Sequence, residues 1–267
     1  MASISSPRPF LPVSRGAWWL AVALAAGPVS ADKPDRPWTL IAGVGALVKP
    51  EYVGADSAEA RVLPLLLGEY ELSERDRLFV GPDALPGYGH VFGERLSLGI
   101  KGSLRQGRDA SDDRSLRGMP DIDTTLEVGP WAEYEVDRRW ALSLETGVDV
   151  LGEHDGFVLE PGVSYERSVS KRAVVNLELA ALYGSQTFVE RYFSVAPEQS
   201  TGTRPAFAAD AGFVELEVGA GIVYRLSKRV FARGALRYAR LVGDAADSPL
   251  VQSEHQWRAL GALGYRF

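Results

Sequence analysis

The chain has 267 residues, 29 of them basic and 35 acidic, a formal net charge of -6 and no cysteine. The acidic balance excludes a general nucleic-acid binder, which needs a basic face, and the lack of cysteine excludes a disulfide framework, thiol chemistry and a Cys-type zinc site. Hydrophobic residues make up 46% of the chain, yet no run after residue 31 reads as a spanning helix. A membrane protein of this composition must be a closed β-barrel, because lipid tolerates only helices and closed sheets.

The chain begins with the layout of a secretory signal peptide. Arg8 and Arg15 precede an apolar run over residues 17–26, and Val29-Ser30-Ala31 offers a small-x-small cleavage site. The run is short for a bilayer span, which needs about 20 apolar residues. We expect residues 1–31 to be removed and residues 32–267 to form one outer-membrane barrel.

One unit repeats along the mature part: about ten residues of alternating polarity, the length a tilted transmembrane strand needs. Strands are predicted over 38–48 and 61–70. Two short strands divide 76–92 around Pro82 and Pro86. Further strands are predicted over 96–105, 123–136, 140–150, 157–166, 173–183, 214–225, 230–241 and 257–267. The alternation is clearest from Val214, where Val214, Leu216, Val218, Ala220, Ile222 and Tyr224 form one face and Glu215, Glu217 and Arg225 lie on the other. The count is twelve. Short joints, such as Asp137-Arg138 and Ser227-Lys228, alternate with long ones, such as 106–122 and 185–212. That is the asymmetry of an antiparallel up-and-down transmembrane barrel with short periplasmic turns and longer external loops.

Aromatic residues on the apolar face fall in two belts. Trp38, Tyr70, Tyr134, Trp140, Tyr165, Tyr224 and Tyr265 lie at the short-turn end, and Phe157, Tyr183, Tyr238 and Trp257 at the long-loop end. Amphipathic rings collect at both membrane–water boundaries. A soluble barrel would also alternate but would need no belts. The expected surroundings are therefore outer-membrane lipid. The last strand, ending in Phe267, resembles the final strand of outer-membrane barrels in general, and this resemblance implies the barrel-assembly machinery as a partner.

The opposite face carries Glu215, Glu217, Arg233, Arg237 and Arg258 as candidate lumenal charges. Two readings stand open: a charged pore for small solutes, or cross-strand ion pairs filling a narrow barrel, since buried charges require partners. The short turns carry Arg138, Arg139, Lys171, Lys228 and Arg229 as a candidate periplasmic contact surface. No enzyme is expected. His154-Asp155 and Ser185 are the pieces from which a triad might be sought, but a His-Asp pair in a loop is usually solvated. Asp109, Asp112 and Asp113 are interleaved with arginines and lack the glycine and distal glutamate of a calcium loop, so neither metal nor cofactor is expected.

Three stretches taken together resemble the MipA/OmpV family of outer-membrane proteins: GVGALVKPEYVGAD from Gly43, GRDASDDRSLRGMPDIDTTLEVG from Gly107, and the terminal GYRF. The resemblance keeps order and spacing over nearly the whole mature chain. It implies a scaffold that links murein synthesis and hydrolysis to the outer membrane, with a murein transglycosylase or synthase as partner. A small-solute channel and a surface adhesin or antigen are the alternatives.

Overall fold

The computed structural model describes residues 37–81 and 85–267. The expected signal peptide, residues 32–36 and Pro82 lie outside the described residues. Twelve antiparallel strands run in chain order: β1 Trp38–Pro50, β2 Ala58–Glu71, β3 Asp76–Val80, β4 Leu85–Phe92, β5 Leu96–Arg105, β6 Thr125–Glu135, β7 Trp140–Asp149, β8 Phe157–Ser168, β9 Ala173–Gly184, β10 Gly212–Arg225, β11 Val230–Leu241 and β12 His255–Arg266. Each pairs with its sequence neighbours, and β12 closes on β1, so the sheet is a barrel without an edge. Two short helices, α1 Gln186–Phe193 and α2 Gly243–Asp247, lie in the long external connections. Among the described residues, no helix is long and apolar enough to cross a membrane.

The alternating pattern explains why these segments are strands. Leu142, Leu144 and Val148 are exposed on β7, as are Leu177 and Leu179 on β9 and Leu216, Val218 and Ile222 on β10. Their neighbours Glu145, Glu178, Glu215 and Glu217 are buried inside. Large apolar groups outside and carboxylates inside are the reverse of a soluble barrel and the arrangement lipid demands. Both expected aromatic belts lie on the outer face, and Trp140 packs on Tyr165 with ring centroids 4.9 Å apart.

Two departures from the alternation are informative. Val214 is not on the lipid face, because a bulge between Phe213 and Glu215 turns it inward, where it is 2% exposed. An extra residue on one strand re-aims its side chain at the barrel rim, and Phe213 takes the outward place. In the second, large rings replace polar groups on the inner face toward the periplasm. A Cβ at Gly264 would come within 2.2 Å of the Phe231 ring, and one at Gly87 within 2.3 Å of the Phe79 ring. Glycine on one strand thus makes room for a ring on the next.

The inward and outward faces yield a direct check. Leu216→Arg and Leu177→Arg, both on the lipid face, should each cost about 2–4 kcal/mol in unfolding from liposomes. Gly219→Ala should be nearly silent, since its Cβ would meet only ordinary contacts at 3.5 Å and beyond. A large loss at Gly219 with none at Leu216 would mean that the two faces are exchanged.

Candidate functional site

Three layers of side chains occupy the lumen. Toward the periplasm, Ile41, Leu65, Leu67, Val174, Val223, Phe231, Leu260 and Ala262 form an apolar cluster. At mid-height lies a belt of charge. Lys101 Nζ is 2.5 Å from Glu145 Oε2. Arg105 pairs with Glu127 and reaches Glu160 at 3.3 Å. Arg237 lies 3.2 Å from Glu217 and 3.5 Å from Glu178. Arg258 reaches Glu217 at 3.1 Å and Glu215 at 3.3 Å. The five candidate lumenal residues all point inward, and four of them enter this network. Arg233 differs: it is 4% exposed, and no hydrogen-bond acceptor reaches its Nε or Nη1 among the described residues.

The outer layer is a cover built by the external connections. Phe188, Val189, Tyr192 and Phe193 of α1 pack with Ile122, Val158, Leu182, Val214, Leu241 and Ala245. Tyr52, Ala55, Leu116, Met119, Val195 and Leu250 form a second cluster beside it. Side chains bonded to backbone carbonyls hold the cover together. Arg108 Nη1 donates to Tyr192 O at 2.8 Å and Ser248 Oγ to Phe193 O at 2.6 Å. Arg204 donates to Ser115 O, Arg117 O and Gln199 O at 2.6, 3.2 and 2.7 Å. Burial pulls the Arg108 guanidinium down to about 10 and pushes the Tyr192 hydroxyl up to about 12. Between cover and belt lies a cavity of about 290 Å³, roofed by Tyr52, Phe188, Tyr192 and Phe193.

The structure corrects one expectation here. His154 is not solvated: its side chain is fully buried, with Nε2 3.1 Å from Glu127 Oε1 and Nδ1 accepting from Gly156 N–H at 3.1 Å. The connection folds inward because the Asp149 carboxylate gathers the N–H groups of Leu151, Gly152, His154 and Asp155. Ser185 Oγ accepts from Phe157 N–H at 2.9 Å, and no bond joins it to His154 among the described residues. Asp109, Asp112 and Asp113 accept backbone N–H bonds within their own connection. No group that could hold a metal ion occurs among the described residues.

The periplasmic rim is built differently. Four turns repeat one device: Ser73, Asp137, Ser170 and Ser227 each accept the N–H groups two and three residues ahead through the side chain. Such Asx and Ser/Thr turns set a tight reversal locally. The residue two places on is always arginine: Arg75, Arg139, Arg172 and Arg229. In the fifth short turn Gly93, at φ 64°, takes the lead place and Arg95 follows. All five arginines give their carbonyl to the next strand, accepting from Val91, Glu135, Glu166, Arg225 and Arg266 N–H at 2.7–2.9 Å. Arg138, Arg139, Lys171, Lys228 and Arg229 are exposed on these turns. The turns after β6, β8 and β10 each carry two basic residues, whereas those after β2 and β4 pair Glu74 with Arg75 and Glu94 with Arg95. The basic turns therefore form one arc of the rim. This repeat was missed in reading the strands, although Ser/Asp-x-Arg ahead of a strand is visible as a pattern.

Arg204→Ala removes the donor from three carbonyl oxygens that join two external connections. Each buried group left unpaired costs about 1–3 kcal/mol. The variant should keep its barrel yet be nicked by external protease within residues 106–124 or 185–211, whereas the parent should stay intact there.

Residues 42–267 match the family described as MltA-interacting protein MipA. Outer membrane protein Omp26La of Vibrio anguillarum and outer membrane protein OmpV of Vibrio cholerae are each 27% identical over 160 residues, 60% of this chain. The match spans 61% of each relative's own length. Among solved structures, the translocator domain of the autotransporter NalP from Neisseria meningitidis superposes with a TM-score of 0.48 at 11% identity, covering 88% of this chain and 90% of that one. Matched over all but its first 41 residues, this outer-membrane barrel belongs to the MipA family.

Proposed function

We propose that this barrel is a scaffold that works from its periplasmic rim, holding murein-cleaving or murein-building enzymes at the outer membrane. The observation that carries the reading is the arc of paired basic residues, Arg138-Arg139, Lys171-Arg172 and Lys228-Arg229, on turns whose backbone is already satisfied by serine, aspartate and the ladder. The family description, an MltA-interacting protein, supports it. The layered filling of the lumen also supports it, because an interior occupied by ion pairs and rings suits a wall better than a pore.

Short turns offer little area, whereas stable interfaces usually bury about 800 Å² per partner. The contact is therefore electrostatic, steered by charge and weakened by salt. Replacing Arg138, Arg139, Lys171, Lys228 and Arg229 by Glu should abolish co-purification of a murein transglycosylase while the unboiled protein still runs as a folded barrel. Trimming residues 194–207 should leave co-purification intact. The opposite pattern would defeat the rim reading and favour a surface protein acting through its external face.

The channel alternative has its own measurement. Reconstituted in planar bilayers, the protein should give no stable porin-sized conductance steps. Regular, ion-selective openings in the parent protein would make it a channel.

A further inference from the structure

Every strand has two neighbours, but some seams of the wall run only part of the way up. Thirteen residues of β2 pair with β1, whereas four, residues 68–71, pair with β3. β3 meets β4 over four residues, and β4 meets β5 no higher than Gly102. Residues 58–67 of β2 therefore have no strand partner on the β3 side among the described residues. The gap lies at membrane depth. Ala60 is level with Val48 of β1 and, through it, with Ala259 of β12, two residues inside Trp257 of the outer aromatic belt. Residues 62–67 thus lie between that belt and the middle of the wall. β2 and β5 flank the gap about 14 Å apart, three strand spacings of about 4.8 Å.

The β2 edge is unsuited to another strand. Leu72 N–H bonds Asp76 O in this seam, and ladder bonds alternate, so the even-numbered residues of β2 aim their backbone groups at the gap. Pro64 is one of them and has no N–H to pair. Proline on an edge discourages strand addition. Around it the side chains are apolar on both faces. Val62, 76% exposed, and Leu66 lie outside, and Leu65 and Leu67 belong to the apolar layer within. The covered cavity adjoins the gap from inside. Nine strands contribute to its lining, and the three that contribute nothing are β2, β3 and β4. An open edge is tolerated at membrane depth where it lines a space that holds water, and this cavity, lined by charged side chains, is such a space.

We propose that the gap admits an acyl chain of a surrounding bilayer lipid, which lies in the wall between β2 and β5 and reaches the barrel interior. Depth decides the occupant, because at this height the barrel is surrounded by hydrocarbon chains. Val62, Leu63 and Leu66 on one side and Leu104, itself exposed, on the other give such a chain apolar contact along the gap. Covering them removes apolar surface from the water of the cavity, which is favourable. A strand from a second copy would meet Pro64 on the edge and lose a ladder bond there.

The chain has no cysteine, so single introduced thiols can be labelled with bimane one at a time. Leu63→Cys and Ser103→Cys put the label on inward positions at the two edges of the gap. Leu179→Cys and Ala180→Cys put it on an outward and an inward position of β9, where the wall is whole and Ala180 pairs with Glu217 on one side and Gly162 on the other. The labelled proteins are reconstituted in phosphatidylcholine vesicles whose acyl chains carry bromine at mid-length. The labels on Leu63→Cys and Ser103→Cys should lose as much fluorescence as that on Leu179→Cys, while that on Ala180→Cys stays bright. Labels at both gap positions as bright as that on Ala180→Cys would overturn the proposal, and a dimer cross-linked through Leu66→Cys would then put a second copy on the edge. Should one gap variant lack the folded gel shift, the other decides. The gap lies in the outer half of the wall, away from the periplasmic turns, so its failure leaves the scaffold reading untouched.

Discussion

The structure depends on one constraint: in hydrocarbon, no backbone N–H or C=O may be left without a partner. Each such group costs several kcal/mol in lipid, so a sheet must have no free edge. Here the requirement falls on the pairing of the first strand with the last. Eight residue pairs join β1 to β12, from Ile41 with Arg266 to Val48 with Ala259. The final residue adds one more rung, since Phe267 N–H donates to Leu40 O at 3.0 Å. The contact is close: a Cβ at Gly43 would come within 2.2 Å of Leu263 O. The long, two-faced C-terminal strand ending in an aromatic is thus the closing element, and its outward ring belongs to the periplasmic belt.

Closure with twelve strands leaves an interior too wide for one layer of side chains, and the chain fills it in ways that tie distant strands together. Lys101 on β5 meets Glu145 on β7, Arg105 on β5 meets Glu160 on β8, and Arg258 on β12 meets Glu215 on β10. These pairs skip strands, so they brace the barrel across its section, where backbone bonds act only between neighbours. Buried ion pairs are weak evidence of net stability, but losing one partner strands the other and costs about 3–5 kcal/mol. The belt therefore makes the cross-section specific as much as it makes it stable. Arg233 stands next to the apolar layer without an acceptor at two of its nitrogens, and we have no physical account of it.

Much of this was legible because membrane strands obey a period of two and the bilayer sets their length. Strand number, both aromatic belts and the inward placement of Glu215, Glu217, Arg233, Arg237 and Arg258 follow from that rule alone. That Glu217 lies on the strand beside the one carrying Arg233 and Arg237 follows too, but which of the two arginines it meets depends on register, which sets Arg237 level with Gly219. What the period cannot reach is contact across the lumen: nothing local to Glu215 says that its partner is Arg258 two strands away. The cover was equally hidden. Its residues come from four external connections, and their apolar positions (Tyr52, Leu116, Phe188, Leu250) are too scattered to show a face. His154 was misread for the same reason, since its burial depends on Asp149 folding the connection inward and on α1 arriving from 30 residues away. The bulge that turns Val214 inward breaks the period at one residue and leaves no sign in composition.

The two ends of the barrel are built by different rules, and this bears on where it acts. The outer end is irregular. It uses buried arginines on carbonyl oxygens, so each contact is specified by long-range geometry and tolerates little change. The inner end is regular, and its turns are solved locally. Serine or aspartate makes the reversal, and the next strand takes the arginine's carbonyl. Any residue has a carbonyl, so that bond does not select arginine, although two of the five also use the guanidinium, Arg95 donating to Val136 O at 3.2 Å and Arg229 to the Tyr265 hydroxyl at 3.0 Å. Basic residues repeated at one level of one rim and gathered on one arc give that end an exposed positive surface. The covered end turns its arginines inward onto carbonyl oxygens, whereas the open end presents its basic side chains to solvent.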